Sequence, residues 1–273
     1  MTGVCAVILA AGEGQRLRPL TANLPKALCP VGNVPLLDHA LARVAGAGIT
    51  SVAVNASYLA SQVVEHVGTR AHLSVEPDGP LGTSGGVARL REWIDGRGVL
   101  VGNADAYLAD PSRPPGKDIA ALLDGWSGTS VRMLAQPVLK ETGGFSNHRF
   151  AGFSLLPWSR VRDLVPSDGG LVRDVWRPAE AAGELELIPF EGTYLDTGTP
   201  PLYLAANLHA AAGHNLLAPT ARVTGTCIEA VVGAGATVAG SVTRGVVLPG
   251  ATVAEGEHLT DAIRAGTSLT VHA

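Results

Sequence analysis

The strongest constraint on this chain lies near its start. Cys5-Ala6-Val7-Ile8-Leu9 carries no charged or hydrogen-bonding polar side chain except a thiol, and it passes directly into Ala10-Ala11-Gly12-Glu13-Gly14. An unbroken apolar run of this kind needs cover on both faces, as a central strand of a parallel sheet has. The chain then alternates short β-branched runs with segments of helical period. These predict a helix over 36–47 stopped by Gly48, a strand over 51–54, a helix over 59–67 stopped by Gly68, and a strand over 71–75. A helix over 84–94 and a strand over 99–101 follow, the latter running into Gly102-Asn103-Ala104-Asp105. The order predicts an α/β fold, a Rossmann-like, mostly parallel sheet flanked by helices. Ligands of such sheets bind beyond the carboxyl ends of the strands, so the loops at 10–16, 76–83 and 102–107 are expected to converge. Further on, strands are expected over 131–135 and 150–156 and a short helix over 160–164.

From about Ala218 the chain turns to Val, Ala, Gly and Thr with few charges, and a six-residue spacing emerges: Val232 and Val238, then Val247, Val253 and Leu259. Hexads of this type predict coils of a parallel β-helix with small residues at the corners. The alternative is an irregular Ala/Gly-rich segment packed on the main body. The expected domains are therefore 1–217, carrying the chemistry, and 218–273, a short hexapeptide-repeat segment. A net charge of −4 and the lack of any basic tract argue against a nucleic-acid or membrane-surface role. Three widely spaced cysteines, Cys5, Cys29 and Cys227, show no metal-ligand pattern and read as buried small hydrophobes. With no basic leader and no long apolar stretch, a cytoplasmic protein is expected. His39, His66, His209 and His214 fall in expected helices or their ends with no ligand-like spacing, and the tryptophans are read as packing residues.

The chemistry concentrates in Leu9-Ala10-Ala11-Gly12-Glu13-Gly14-Gln15-Arg16-Leu17-Arg18-Pro19-Leu20-Thr21, followed by Leu24-Pro25-Lys26-Ala27-Leu28. Small residues let backbone N–H groups approach a ligand, and Arg16, Arg18 and Lys26 can neutralise phosphates, so a polyphosphate is the natural ligand. A Walker loop is absent, and Leu17 occupies the place where a dinucleotide fingerprint needs its third glycine. These residues resemble the signature of the sugar-1-phosphate nucleotidylyltransferases, with Gln15 replacing a small hydroxyl residue. Pro25-Lys26-Ala27-Leu28-Cys29-Pro30-Val31 is similar to the family's second segment. Glu76 with Pro80-Leu81-Gly82-Thr83-Ser84-Gly85-Gly86 resembles its nucleobase segment, in a form familiar among guanylyltransferases. Asn103-Ala104-Asp105 resembles its metal segment, and Leu195-Asp196-Thr197-Gly198-Thr199-Pro200 with Tyr203 and Ala206-Asn207 a later one.

The resemblance implies that Leu9, Ala10, Ala11, Gly12, Gly14, Gln15, Arg16, Glu76, Gly82 and Thr83 surround the nucleotide. It places Lys26, Gly152, Asp196 and Thr197 at the sugar phosphate and gives Arg16, Lys26 and Asp105 catalytic roles. Many family members also carry a left-handed β-helix at the C-terminus, which offers a route to a homo-oligomer. Chemistry leads to the same metal: two anionic reactants must meet, and Mg²⁺ held by Asp105 and Asp196 would relieve their repulsion. A carboxylate accepts only, so Glu76 suits guanine N1–H and its amino group, with uracil or thymine as the alternative bases. The E-K-P motif of most relatives is missing from 135–150, leaving Lys140, His148 or Arg149 to supply a cation. Phe150-Ala151-Gly152-Phe153-Ser154 retains the sugar-side glycine. The expected reaction is nucleotidyl transfer from an NTP, GTP first, to a sugar or cyclitol 1-phosphate. A non-catalytic, nucleotide-sugar-binding homologue is the competing reading.

Overall fold

The structure is a computed structural model that describes residues 3–138 and 144–273. The chain divides into two compact units, 1–13 with 37–194 and 14–36 with 195–273.

The first unit is built on a sheet of seven strands: β1 (Val4–Leu9), β2 (Val52–Ala56), β3 (His72–Val75), β4 (Gly98–Asn103), β5 (Val131–Pro137), β6 (His148–Leu156) and β7 (Leu185–Pro189). Their order is β7-β5-β6-β4-β1-β2-β3. β6 alone among these strands runs against its neighbours, pairing antiparallel with β4 and β5. The sheet is thus mostly parallel, as expected. Cys5, Ala6, Val7 and Ile8 are all 0% exposed. Cys5 and Val7 pack with Val87, Leu90 and Ile94 on one face, while Ala6 and Ile8 point to the other because side chains alternate along a strand.

Three helices follow the expected pattern. Helix α1 (Leu36–Gly46) ends before Gly48 at φ 83°, and α2 (Ala60–Val67) ends at Gly68. The helix expected over 84–94 is two pieces, α3 (Gly82–Arg89) and α4 (Arg91–Ile94), joined at Leu90. It begins earlier than its apolar period because Gly82 and Thr83 belong to its first turn. The short helix expected over 160–164 is one turn at Trp158–Val161. A π-helical turn at Val172–Trp176 and strand β7 have no counterpart in the sequence pattern, since Gly, Pro and charged residues there break any period.

In the second unit, α5 (Pro200–Ala211) starts with two prolines after Thr199, where missing N–H groups cost nothing. From Leu216 the chain winds through three parallel ladders. Leu216 pairs with Val231 and Val231 with Val246, a turn of 15 residues, whereas Val246 pairs with Ile263 in a turn of 17. The hexads are the steps from Val232 to Val238, from Val247 to Val253 and from Val253 to Leu259; a tighter corner connects Val238 to Val242. These residues, with Ala230, Ala236, Ala251 and Ala262, fill the interior. Arg264 stands in register with Val247, where the coils have placed a valine before it. Its buried guanidinium meets Thr252 O at 3.0 Å, Thr267 O at 2.8 Å and Glu257 at 2.7 Å. This polar plug ends the stack, and Leu269–His272 folds back antiparallel over the last edge.

The cysteines are free thiols, and burial pushes Cys5 up to about 11 and Cys29 up to about 12. No helix among the described residues is long and apolar enough to cross a membrane. One buried ion pair pins the loop after residue 109 to α1: Arg43 Nε lies 2.9 Å from Asp118 Oδ2, with side chains 4% and 1% exposed. Gly46 has no room for a side chain there, since a Cβ would meet Pro115 O at 2.1 Å. Asp118→Ala leaves Arg43 buried without its partner and is expected to cost about 3–5 kcal/mol in urea unfolding. A loss below about 1 kcal/mol, the level of an exposed pair, would contradict this reading.

Candidate functional site

The strand registers of the first unit bring three loops to one level. Leu9 is the partner of Asn55 on one side and of Asn103 on the other. Because β2 and β4 leave β1 in opposite directions across the sheet, this is its switch point, where a crevice opens. The Ala104 N–H donates to Leu9 O at 3.0 Å, tying the third loop to the first. The Ala10 N–H donates to Asn55 Oδ1 at 2.7 Å, Asn55 Nδ2 donates to Glu76 Oε1 at 2.8 Å, and the Leu81 N–H donates to Glu76 Oε2 at 2.8 Å. Asn55 is 1% and Glu76 2% exposed. The Ala10 N–H expected to meet the ligand is thus committed within the protein. Likewise, both Glu76 oxygens expected to read guanine already accept from protein donors. Ala11 is nearly buried, whereas Gly12 is exposed.

Gly82 and Thr83 face a segment that the sequence reading does not single out. A Cβ on Gly82 would meet Gly169 O at 2.1 Å, and one on Gly85 would meet Ser167 O at 2.1 Å. The Thr83 hydroxyl accepts from the Leu171 N–H at 2.8 Å. Beside it the Ser84 hydroxyl donates to Asp174 Oδ2 at 2.5 Å, and the same oxygen accepts from the Gly170 N–H at 3.1 Å. The Arg173 guanidinium, and then the Ser84 hydroxyl, hold the Asp174 carboxyl down at about 2. Residues 167–174 therefore clamp the second loop from outside.

The second unit gathers the cations. Gly14, at φ 62°, accepts through its carbonyl from the Thr21 hydroxyl at 2.8 Å and the Leu17 N–H at 3.0 Å. A Cβ on Gly14 would meet Lys26 Cβ at 2.9 Å, so glycine is needed both for the turn and for room. Lys26 is buried with its Nζ 3.5 Å from Asp196 Oδ1, while Arg16 Nη2 lies 3.5 Å from Asp196 Oδ2. A Cβ on Gly198 would come within 2.7 Å of Arg16 Nη2 and 3.0 Å of Asp196 Oδ1, so a side chain there would make the exposed guanidinium shift. Exposed pairs at this distance contribute about 0–1 kcal/mol, so Arg16 can leave Asp196 for a phosphate at small cost. Gln15 is exposed, as a ligand contact requires, whereas Thr197 is 0% exposed. Tyr203 donates to Pro30 O and Asn207 Oδ1 accepts from the Gly32 N–H at 3.0 Å. Tyr203 and Asn207 thereby brace the loop that carries Lys26.

Gly152, expected beside the sugar, sits at φ 84°, and a Cβ there would meet Ala106 Cβ at 2.8 Å. Arg149 donates to Gln136 Oε1 at 2.9 Å and to Tyr194 O at 3.3 Å, and its guanidinium lies 5.2 Å from the Tyr194 ring centre. His148 is half-buried and bonded to Ser146 O; Lys140 lies outside the described residues.

Asp105 occupies the turn between β4 and the strand Ala106–Ala109 and is half-buried. Among the described residues no three of His, Cys, Asp or Glu form a ready-made cation cage. Single oxygen donors such as Asp105 and Asp196 nonetheless suit Mg²⁺, which keeps most of its shell as water and substrate phosphate.

Residues 5–115 match the family described as Nucleotidyl transferase. The chain is 34% identical over 172 residues to the N-acetylmuramate alpha-1-phosphate uridylyltransferase of Neisseria meningitidis serogroup B, covering 61% of this chain and 71% of that one. Against the mannose-1-phosphate guanylyltransferase of Mycobacterium tuberculosis it is 36% identical over 126 residues, 44% of this chain but only 33% of that one. The UDP-glucose pyrophosphorylase structure from Acinetobacter baumanii shares the fold, with a TM-score of 0.62 at 16% identity over 77% of this chain and 93% of that one. The chain belongs to the sugar-1-phosphate nucleotidylyltransferase family, a family of enzymes.

The clamp at Asp174 has a pH signature. Its carboxyl is lowered from 3.8 to about 2, so its contribution to stability is complete above pH 4 and is lost as pH falls toward 2. Urea midpoints of the wild type and Asp174→Asn should differ at neutral pH and converge across that window. A difference that stays constant down to pH 2 would contradict the clamp.

Proposed function

We propose that this enzyme transfers a nucleotidyl group from GTP to a sugar 1-phosphate or a sugar-like cyclitol 1-phosphate and releases pyrophosphate. The observation that carries the nucleotide reading is Gly12. Among the described residues nothing lies within 4 Å of a Cβ built there, and its φ is not in the left-handed region. The same openness holds at Gly3 and Gly170, but of the three only Gly12 lies in the loop after β1, where bare backbone suits the close approach of a ligand. Support for the transfer comes from Arg16 and Lys26, two cations arranged around one carboxylate.

In this reading the oxygen of the sugar 1-phosphate attacks the α-phosphorus of the NTP as the bond to pyrophosphate breaks, with no covalent enzyme intermediate. Arg16 stabilises the departing charge, Lys26 holds the attacking sugar phosphate, and Asp105 and Asp196 would hold Mg²⁺. When bound, that ion polarises the α-phosphate and offsets the repulsion of the two anions. Arg149, fixed by Gln136 and Tyr194, replaces the lysine of the missing E-K-P motif. The C-terminal ladders, entered at Leu216–Leu217, are read as a left-handed parallel β-helix that makes up the domain expected over 218–273, with 1–217 as the catalytic domain.

GTP is put first on the form of Leu81-Gly82-Thr83-Ser84-Gly85. UTP is the second reading, favoured by the occupied oxygens of Glu76 and by the uridylyl name of the Neisseria relative. Pyrophosphate release, measured for GTP, UTP, dTTP, ATP and CTP against a panel of sugar and cyclitol 1-phosphates, should show turnover with one base dominant. No turnover with any pair would overturn the proposal. Asp105→Asn and Asp196→Asn should each lower the rate about 100-fold or more, as lost charge stabilisation does; near-normal activity of either removes it from the metal site. Gly12→Ala should leave the melting temperature unchanged yet raise the KM for NTP; an unchanged KM would return Gly12 to an ordinary turn.

A further inference from the structure

The buried chain of bonds through Asn55 and Glu76 does more than fill a gap. We infer that Asn55 and Glu76 are a positioning pair that locks the first and second loops of the crevice into one preformed nucleotide cradle. This rests on the nucleotide reading given above. The Ala10 N–H can only donate, so it fixes Oδ1 of the Asn55 amide toward β1 and turns Nδ2 toward Glu76. A carboxylate can only accept, so Glu76 takes Nδ2 on one oxygen and the Leu81 N–H on the other. Each donor meets an acceptor in one order only, and a shift of either loop would strand a buried polar group.

The pair is itself held in place. The Glu76 N–H donates to Ala56 O at 2.8 Å, and the Ser57 hydroxyl donates to Glu76 O at 2.9 Å. Gly86 gives the pair its room, because a Cβ there would meet Asn55 Nδ2 at 2.6 Å and Glu76 Oε1 at 3.1 Å. At 2% exposure Glu76 acts on the nucleotide through the backbone it fixes, not by touching the base. Its loss should therefore weaken GTP and UTP alike.

A reciprocal exchange tests this. Glu76→Gln sets an amide donor against another donor, and Asn55→Asp sets carboxylate against carboxylate. The double variant restores the order with the roles exchanged. The carboxylate introduced at position 55 accepts from the Ala10 N–H and from the side-chain amide introduced at position 76, and the oxygen of that amide accepts from the Leu81 N–H. Amide exchange of Ala10 and Leu81 in ligand-free protein should quicken about tenfold or more in each single variant and return to within about threefold in the double, tenfold being the effect of one buried bond. KM for NTP should rise and recover in parallel, with kcat nearly unchanged and the GTP-to-UTP ratio constant throughout. If a single variant does not fold, a folded double variant is itself the rescue. Gly86→Ala gives a further check, since it should quicken the same two amides.

Singles and double alike in exchange would overturn the pairing. An altered GTP-to-UTP ratio in Glu76→Gln that persists in the double would instead make Glu76 a base-reading residue and overturn the positioning role. Absence of turnover in the wild type would strike the proposed function alone, because exchange at Ala10 and Leu81 still decides whether the pair exists.

Discussion

The ligand end of the first unit depends on where β1 stops. Parallel pairing puts Leu9 level with Asn55 and with Asn103, so three chain segments leave the sheet at the same height. Two bonds then cross between them: Ala104 to Leu9 and Ala10 to Asn55. The completely apolar composition of Cys5-Ala6-Val7-Ile8 follows from the same fact, because only a strand buried on both faces can have such neighbours on either side. Slipping the register by one residue would reverse those faces and part the loops together.

The second unit addresses charge. Arg16 and Lys26 converge on Asp196, and glycines at 14 and 198 occupy the points where a side chain would crowd those cations. A carboxylate midway between two cations limits their mutual repulsion before substrate arrives, while the long, half-exposed pairing with Arg16 is weak enough to yield to phosphate. The bracing by Tyr203 and Asn207 gives the Pro25–Val31 stretch, which has little regular structure of its own, a fixed seat on α5. The coil stack continues this unit, with valines at its centre and Arg264 as its polar floor.

Much of this is legible in the sequence, for identifiable reasons. Strands β1 to β4 and helices α1 and α2 have clean periods and glycine stops, and the Val hexads mark steps between ladders. The tight corner between Val238 and Val242 is hidden because a repeat of unequal steps dilutes its own period. At the site, motif spacing locates Arg16, Lys26 and Asp196 but cannot show what their neighbours bond. Glu76 reads as a base contact because a carboxylate beside a glycine-rich loop invites a ligand; its partner Asn55 sits 21 residues earlier in the chain and is joined to it only by the fold. A polar residue closing the otherwise apolar Val52-Ala53-Val54 is the available signal. Asp174 lies in a stretch with no period at all, so its clamp on Ser84 is visible only in three dimensions.

Direct transfer between two bound anions, with no nucleotidyl-enzyme, is the central claim, and isotope exchange tests it most directly. With labelled pyrophosphate and the preferred NTP, label should enter the NTP only when the sugar 1-phosphate is also present, since no bond to the α-phosphorus breaks without an acceptor. Exchange in the absence of any sugar phosphate would reveal a covalent intermediate and contradict this description of the site.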